Sequence, residues 1–241
     1  DAATLDRAAA SIAGLYPTEA REARRSDAAD RADPTRLVLV HGGGSFGHPH
    51  AEAKGVTRTE GSHDAAGVYG IHAAMERLNA AVLDRLHDRG VPALPVHPLS
   101  AASRDADGSL SHPTAAVDTM LGEGFVPVLH GDVVAHTGRG ATVVSGDELV
   151  VELARTLGAR RVGLCSVVPG VLDADGEVVA HVGSYGEVAD VLGESDATDV
   201  TGGMAGKVRT LLDLDAPAFV FWPGDLAAFL EGGSPGTRIE G

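Results

Sequence analysis

The sequence predicts an α/β fold in which a parallel sheet is covered by helices. Two observations predict it. Short apolar runs of strand length alternate with longer segments whose apolar residues recur at helical spacing, and glycine-rich turns sit between them or at helix starts. In such an order each strand returns to the sheet through a crossover helix, which makes neighbouring strands parallel. The 241 residues are enough for one large domain or two small ones; a single domain over 1–241 is the reading adopted. Aromatic residues make up only 4%, so the core is expected to be built from Val, Leu and Ala.

The elements follow in order. Leu5, Ala9, Ile12 and Leu15 recur at helical spacing, so the chain opens inside an amphipathic helix. Residues 16–35, rich in Ala, Arg, Asp and Glu with two prolines, read as an exposed surface insertion. Leu37-Val38-Leu39-Val40 is the apolar run of a buried parallel strand, and it feeds into the turn at 41–48. Val68, Ile71, Met75, Leu78, Val82 and Leu86 then form one stripe of a long helix ended by Gly90. A strand at 91–96, a helix at 113–121 and a strand at 125–129 lead into His130-Gly131-Asp132. Ser145-Gly146-Asp147 opens a helix at 148–157, followed by a strand at 161–164 and a helix at 188–192. The stretch 199–203 opens a helix at 204–214, and a strand at 218–222 and a short helix at 226–230 follow.

Composition excludes several classes. No run of about 18 apolar residues exists, so a membrane span is not expected, and no signal-peptide pattern opens the chain. Cys165 is the one cysteine, which fits a reducing cytoplasm. The net charge is −15, and the only lysines are Lys54 and Lys207. Such acidity predicts a surface kept hydrated at high salt, although a high-GC genome also exchanges Lys for Arg. A field of this sign repels polyanions, so nucleic acid is excluded as a partner.

Three glycine-rich turns carry the chemistry. Glycine lets backbone N–H groups approach a ligand with no Cβ in the way, and at a helix N-terminus those groups are unpaired and favour an anion. Three such turns, one followed by a lysine, point to a polyphosphate ligand. Gly42, Gly44 and Gly47 match the dinucleotide fingerprint, but the segment about 20 residues on, with Glu60 and Asp64, is polar and not a second strand. The same turn matches a nucleophile elbow around Ser45, yet the oxyanion segment and the elbow of hydrolases are separate places. Gly202-Gly203-Met204-Ala205-Gly206-Lys207 is not a Walker A loop, because Thr201 and Val208 occupy the positions of Gly and Ser or Thr. A lysine early in that helix opposes the helix dipole, so Lys207 is expected to have an anionic partner. His41, His48 and His50 lack a carboxylate or Cys cluster that would complete a metal site, so no protein-held metal is expected.

Together, HGGGSFGH at 41–48, SGD at 145–147 and DVTGGMAGK at 199–207 resemble the isopentenyl phosphate kinases of the amino acid kinase superfamily. HGD at 130–132 fits the same pattern, and Gly236-Thr237-Arg238-Ile239 resembles the family's C-terminal strand. The resemblance runs from residue 36 to the end, and the histidine closing GSFGH is its most discriminating part. It implies an open αβα sandwich with a mainly parallel central sheet, homodimeric, transferring the γ-phosphoryl group of ATP to isopentenyl phosphate in isoprenoid biosynthesis. Carried over to this sequence, the resemblance assigns His48, with Gly43 and Gly146, to the acceptor phosphate. It assigns Gly44, Gly203 and Lys207 to ATP, with Lys207 on the transferring phosphate and His48 and Lys207 as the catalytic pair. Ser45, Asp132, Asp147 and Gly202 belong to the same motifs and complete the candidate set. Mg²⁺ is expected with ATP, held by phosphate oxygens and water. An apolar pocket for the isoprenoid tail is expected near Val68, Ile71 and Met75.

The sequence departs from the family in three places. The family opens on a strand carrying Lys-x-Gly-Gly-Ser, and nothing like it precedes Asp1, so the chain is expected to be a fragment lacking that strand. Cys165-Ser166-Val167-Val168-Pro169-Gly170 replaces an acidic turn beside the nucleotide, and 16–35 is an insertion. Other readings are a fosfomycin-type kinase of the same fold, a non-catalytic nucleotide-binding sensor, and, more distantly, a serine hydrolase acting through Ser45.

Overall fold

The computed structural model describes residues 2–16, 36–192 and 203–241. By its internal contacts the chain divides into two compact units, Asp1–Glu152 and Leu153–Gly241. The expected insertion at 16–35 lies outside the described residues except for Tyr16, which is buried.

In the first unit, α1 (Ala2–Ala13) buries Ala9 and Ile12, and its Asp6 lies 3.3 Å from Arg85 and 3.5 Å from Arg89. Strands β1 (Leu39–His41), β5 (Val126–His130) and β2 (Ala93–Pro95) form a parallel sheet in the order β1-β5-β2. The central β5 is buried at every residue, which is why its sequence reads as an unbroken apolar run rather than an alternating one. The long helix α3 (Ala65–Asp88) starts at Asp64, whose carboxylate accepts from the Ala66 N–H at 3.1 Å. It ends before Gly90, whose φ of 76° suits the left-handed turn after a helix.

This unit holds elements that the sequence does not predict. The turn after β1 does not run to His48: α2 (Gly44–Ala53) begins immediately after Gly43. Beyond β5 the chain forms an antiparallel hairpin, β6 (Asp132–His136) and β7 (Gly140–Val144), turning through Gly138 and Gly140, both at positive φ. With β3 (Ser103–Arg104) and β4 (Leu110–Ser111) it makes a second sheet, ordered β4-β3-β6-β7. α4 (Pro98–Ala101) and α5 (Ala115–Gly122) are short, and α6 (Gly146–Leu157) follows β7.

The second unit holds a sheet ordered β8-β10-β11-β9, from β8 (Val162–Cys165), β9 (His181–Val182), β10 (Ala218–Phe221) and β11 (Thr237–Ile239). β8 runs parallel to β10 and β9 to β11, while β10 and β11 are antiparallel. Phe221 stacks on Phe229 of α9 (Leu226–Leu230) at 5.0 Å, and the Arg161 guanidinium covers Phe229 at 4.6 Å. α7 (Ala189–Leu192) is a single turn, and α8 (Gly203–Leu212) buries Ala205, Val208 and Leu211.

Candidate active site

Gly43 and Gly146, two of the residues expected to bind the acceptor, lie close together at the carboxyl ends of the parallel strands β1 and β5, where ligands gather in open α/β sheets. Gly43 is the N-cap of α2, Gly146 is the first residue of α6, and Gly131 links β5 to β6. The position that a Cβ would take on Gly131 lies 3.4 Å from Gly146 N and 3.9 Å from Gly43 N. Two helix N-termini thus present backbone nitrogens to one point, which a glycine keeps open. That is the arrangement that holds one oxyanion, because amide dipoles and the ends of two helices act on it together. The sequence singles out Gly43 and Gly146 but not Gly131, whose place beside them appears only once three separate segments are brought together.

Each opening is built by its own sequence. α2 starts on Gly44 at φ 46°, and behind it a Cβ on Gly47 would come within 2.7 Å of Met75 Sδ. Small residues therefore let α2 lie against α3. α6 starts with a capping box: the Glu148 carboxylate accepts from Ser145 N–H at 3.0 Å, and Ser145 Oγ accepts from Glu148 N–H at 3.2 Å. The same carboxylate meets the buried Arg104 at 2.8 Å and Arg58 at 3.2 Å. Asp147 lies in this first turn, beside Gly146.

Behind the openings lies a cluster of four imidazoles that comes from four parts of the sequence. His41 and His130 are register partners at the ends of β1 and β5, with ring centroids 5.6 Å apart. His97, just beyond β2, places Nδ1 3.0 Å from His130 Nε2. His72 of α3 places Nδ1 2.8 Å from Asp132 Oδ2 and Nε2 3.5 Å from Glu76. Burial pushes His130 down to about 4, and the neighbouring imidazoles reinforce this against the pull of the Gly131 carbonyl. Burial also raises Asp132 above the usual carboxylate range, opposed by His72. Asp132 is fully engaged inside: it also accepts from Val133 N–H at 2.9 Å and Leu99 N–H at 3.4 Å. The structure therefore makes it a buried anchor of the His130-Gly131-Asp132 turn.

The remaining candidates fall as follows. His48 and Ser45 lie on α2, one turn apart in its first half, with side chains outside the described residues. Gly202 lies outside them too. Gly203 opens α8 at φ 55°, and Lys207 follows on the same helix within the second unit. Ile71 and Met75 are buried and Val68 is half-buried: Ile71 joins Val56 and Val133, Val68 packs against that cluster, and Met75 lies under Gly43 and Gly47.

Comparison with known proteins decides the family. The model of the amino acid kinase family matches residues 7–214. The chain belongs to the amino acid kinase family. Within it, this family member is 65% identical over 224 residues to the isopentenyl phosphate kinase of Haloferax volcanii, covering 92% of this chain and 90% of that one. It is 36% identical to the isopentenyl phosphate kinase of Methanothermobacter thermautotrophicus, covering 75% and 73%. A solved isopentenyl phosphate kinase superposes with a TM-score of 0.78 at 27% identity, over 99% of this chain and 91% of the other. The open α/β architecture of an amino acid kinase fold is therefore shown.

Proposed function

We propose that this amino acid kinase transfers the γ-phosphoryl group of ATP to isopentenyl phosphate, giving isopentenyl diphosphate and ADP. The observation that carries the reading is the convergence of Gly43 N and Gly146 N on the space above Gly131, in a chain this similar to proteins named isopentenyl phosphate kinase.

The acceptor is a phosphate monoester, already a nucleophile near neutral pH, so the protein needs no strong base. An acceptor oxygen forms a bond to Pγ, and the bond from Pγ to the ADP oxygen breaks, with ADP leaving on that electron pair. Catalysis is then positioning of two anions and stabilisation of spread charge. Gly43 and Gly146 hold the acceptor phosphate, and His48 donates to it from α2. Gly44 and Gly203 serve ATP, as does Gly202, and Lys207 neutralises the transferring group. Mg²⁺ accompanies ATP and lowers the charge that the transferring group presents. Its ligands in this reading are phosphate oxygens and water. We read the protein as a cytoplasmic homodimer adapted to high salt. No helix among the described residues is long and apolar enough to cross a membrane.

The test is ADP release from Mg-ATP at high salt with isopentenyl phosphate as acceptor and fosfomycin as the comparison. Release that depends on isopentenyl phosphate and not on fosfomycin is expected; the reverse preference overturns the reading. His48→Ala is expected to raise the acceptor KM and leave the ATP KM unchanged. Lys207→Ala is expected to lower kcat by a hundredfold or more, on the order of 3 kcal/mol of transition-state stabilisation. An unchanged kcat removes Lys207 from the site.

A further inference from the structure

We infer that His41, held by Asn79, is a positioning residue of the acceptor cradle: its ring orients the Gly42–Gly43 peptide and so aims the Gly43 N–H. The inference rests on the function proposed above. His41 Nδ1 lies 3.1 Å from the Gly42 carbonyl oxygen. A carbonyl only accepts, so Nδ1 carries the proton. The described peptides are all trans, and in a trans peptide C=O and N–H point in opposite directions. Holding the Gly42 carbonyl on the ring therefore turns the Gly43 N–H away from it. That amide is one of the two that close on the space above Gly131.

Asn79 of α3 sets the proton on the ring. Its Oδ1 lies 3.1 Å from His41 Nε2, while its Nδ2 is buried with no hydrogen-bond partner. Facing two acceptors, the ring would need both protons and a charge. Burial holds His41 below the usual imidazole range, against weaker pulls from Gly42 and Asn79. The titratable groups near it are His130 on β5 and, behind His130, His97, His72, Asp132 and Glu76. From α6 it is the Gly146 turn that approaches, with a Gly146 Cβ position 3.6 Å from His41 O. Turning the Asn79 amide over gives both ring nitrogens a matching partner: Nδ2–H donates to Nε2, the proton stays on Nδ1, and the neutral ring holds Gly42. The four residues His41, Asn79, Gly42 and Gly43 thus act as one device.

Two variants test it. Asn79→Asp places a carboxylate against Nε2 and draws the proton there. At low pH the doubly protonated ring still holds Gly42. As pH rises and the ring loses one proton, Nδ1 is left bare against the carbonyl and the peptide is released. The expected result is an acceptor KM that rises about tenfold with pH in Asn79→Asp, beyond the change seen in the unaltered protein, with the ATP KM flat. His41→Phe is expected to raise the acceptor KM about tenfold or more at every pH, again with the ATP KM unchanged. Turnover of isopentenyl phosphate by the unaltered protein checks the proposed function separately. The dissociation constant of inorganic phosphate, measured on the same three proteins, reports on the cradle whether or not there is turnover. Parallel pH profiles in Asn79→Asp and unchanged phosphate binding in His41→Phe overturn the inference, as does an equal rise in both KM values.

Discussion

Gly131 carries the sharpest residue-scale expectation. A methyl group there meets Gly146 N and Val144 O at 3.4 Å, ordinary van der Waals contact, so Gly131→Ala is expected to fold normally. The methyl fills the space that the two amides face, and the acceptor KM is expected to rise tenfold or more while the ATP KM stays constant. Equal KM values for both proteins would place the acceptor phosphate elsewhere. Gly43 and Gly146 were legible in the sequence because each sits in a glycine-rich motif at the start of a helix. His41, His72, Asn79, His97 and His130 were not legible as a cluster. The pairing of β1 with β5, and of β5 with β2, brings His41, His130 and His97 to one end of a sheet, and the packing of α3 adds His72 and Asn79. The sole signal available was that HGG and HGD both place a histidine at a strand end.

Elements set the angles at which the cradle opens. Glu148 ties the start of α6 to Arg104, which is 5% exposed, and to Arg58. Glu148→Ala removes the capping box and leaves Arg104 without its carboxylate, at a cost of about 3 kcal/mol. Chemical denaturation should show that loss, and the acceptor KM should rise because Gly146 begins the same helix. Glu148→Gln, which keeps an acceptor for Ser145, is expected to lose less. On the other opening, Gly47→Ala drives a methyl to within 2.7 Å of the buried Met75 Sδ and is expected to cost about 1–3 kcal/mol. Met75→Ala in the same chain should remove that clash, so the two changes should be strongly non-additive. A helical stripe marks Met75 as facing inward but does not say that Gly43 and Gly47 are what it faces. Nor does the sequence foresee α2, since two glycines at 43–44 read as a turn.

Over the whole molecule, buried imidazoles set the acid side of stability. His130 falls from an unfolded value of about 6.5 to about 4 in the folded protein. Below the unfolded value the unfolded chain takes a proton that the native protein refuses, so stability falls between these two values, by up to about 1.4 kcal/mol per pH unit. His41 and His112, also lowered by burial, act in the same direction. Asp132 is raised, so the native state holds its proton to higher pH, and it opposes the loss at the acid end of this window. His130→Phe is expected to flatten the limb between pH 6.5 and 4; an unchanged slope would assign it elsewhere. Thermal unfolding should also move to higher temperature with added salt, because a net charge of −15 repels itself and salt screens it.

The alternation of apolar strands and amphipathic helices, the glycine turns and their order were determined by the sequence alone. These are local properties: backbone freedom at glycine, side-chain periodicity, and the dipole at a helix start. What needed the tertiary structure was every relation between segments distant along the chain. Strand pairing set His41 beside His130, and the fold brought Gly131 close to Gly43 and Gly146, so that three turns border the space proposed for the acceptor phosphate. The hairpin at 132–144 locked Asp132 inside with His72. Such contacts depend on register and packing, which a linear pattern constrains only weakly, because the same apolar run fits several neighbours.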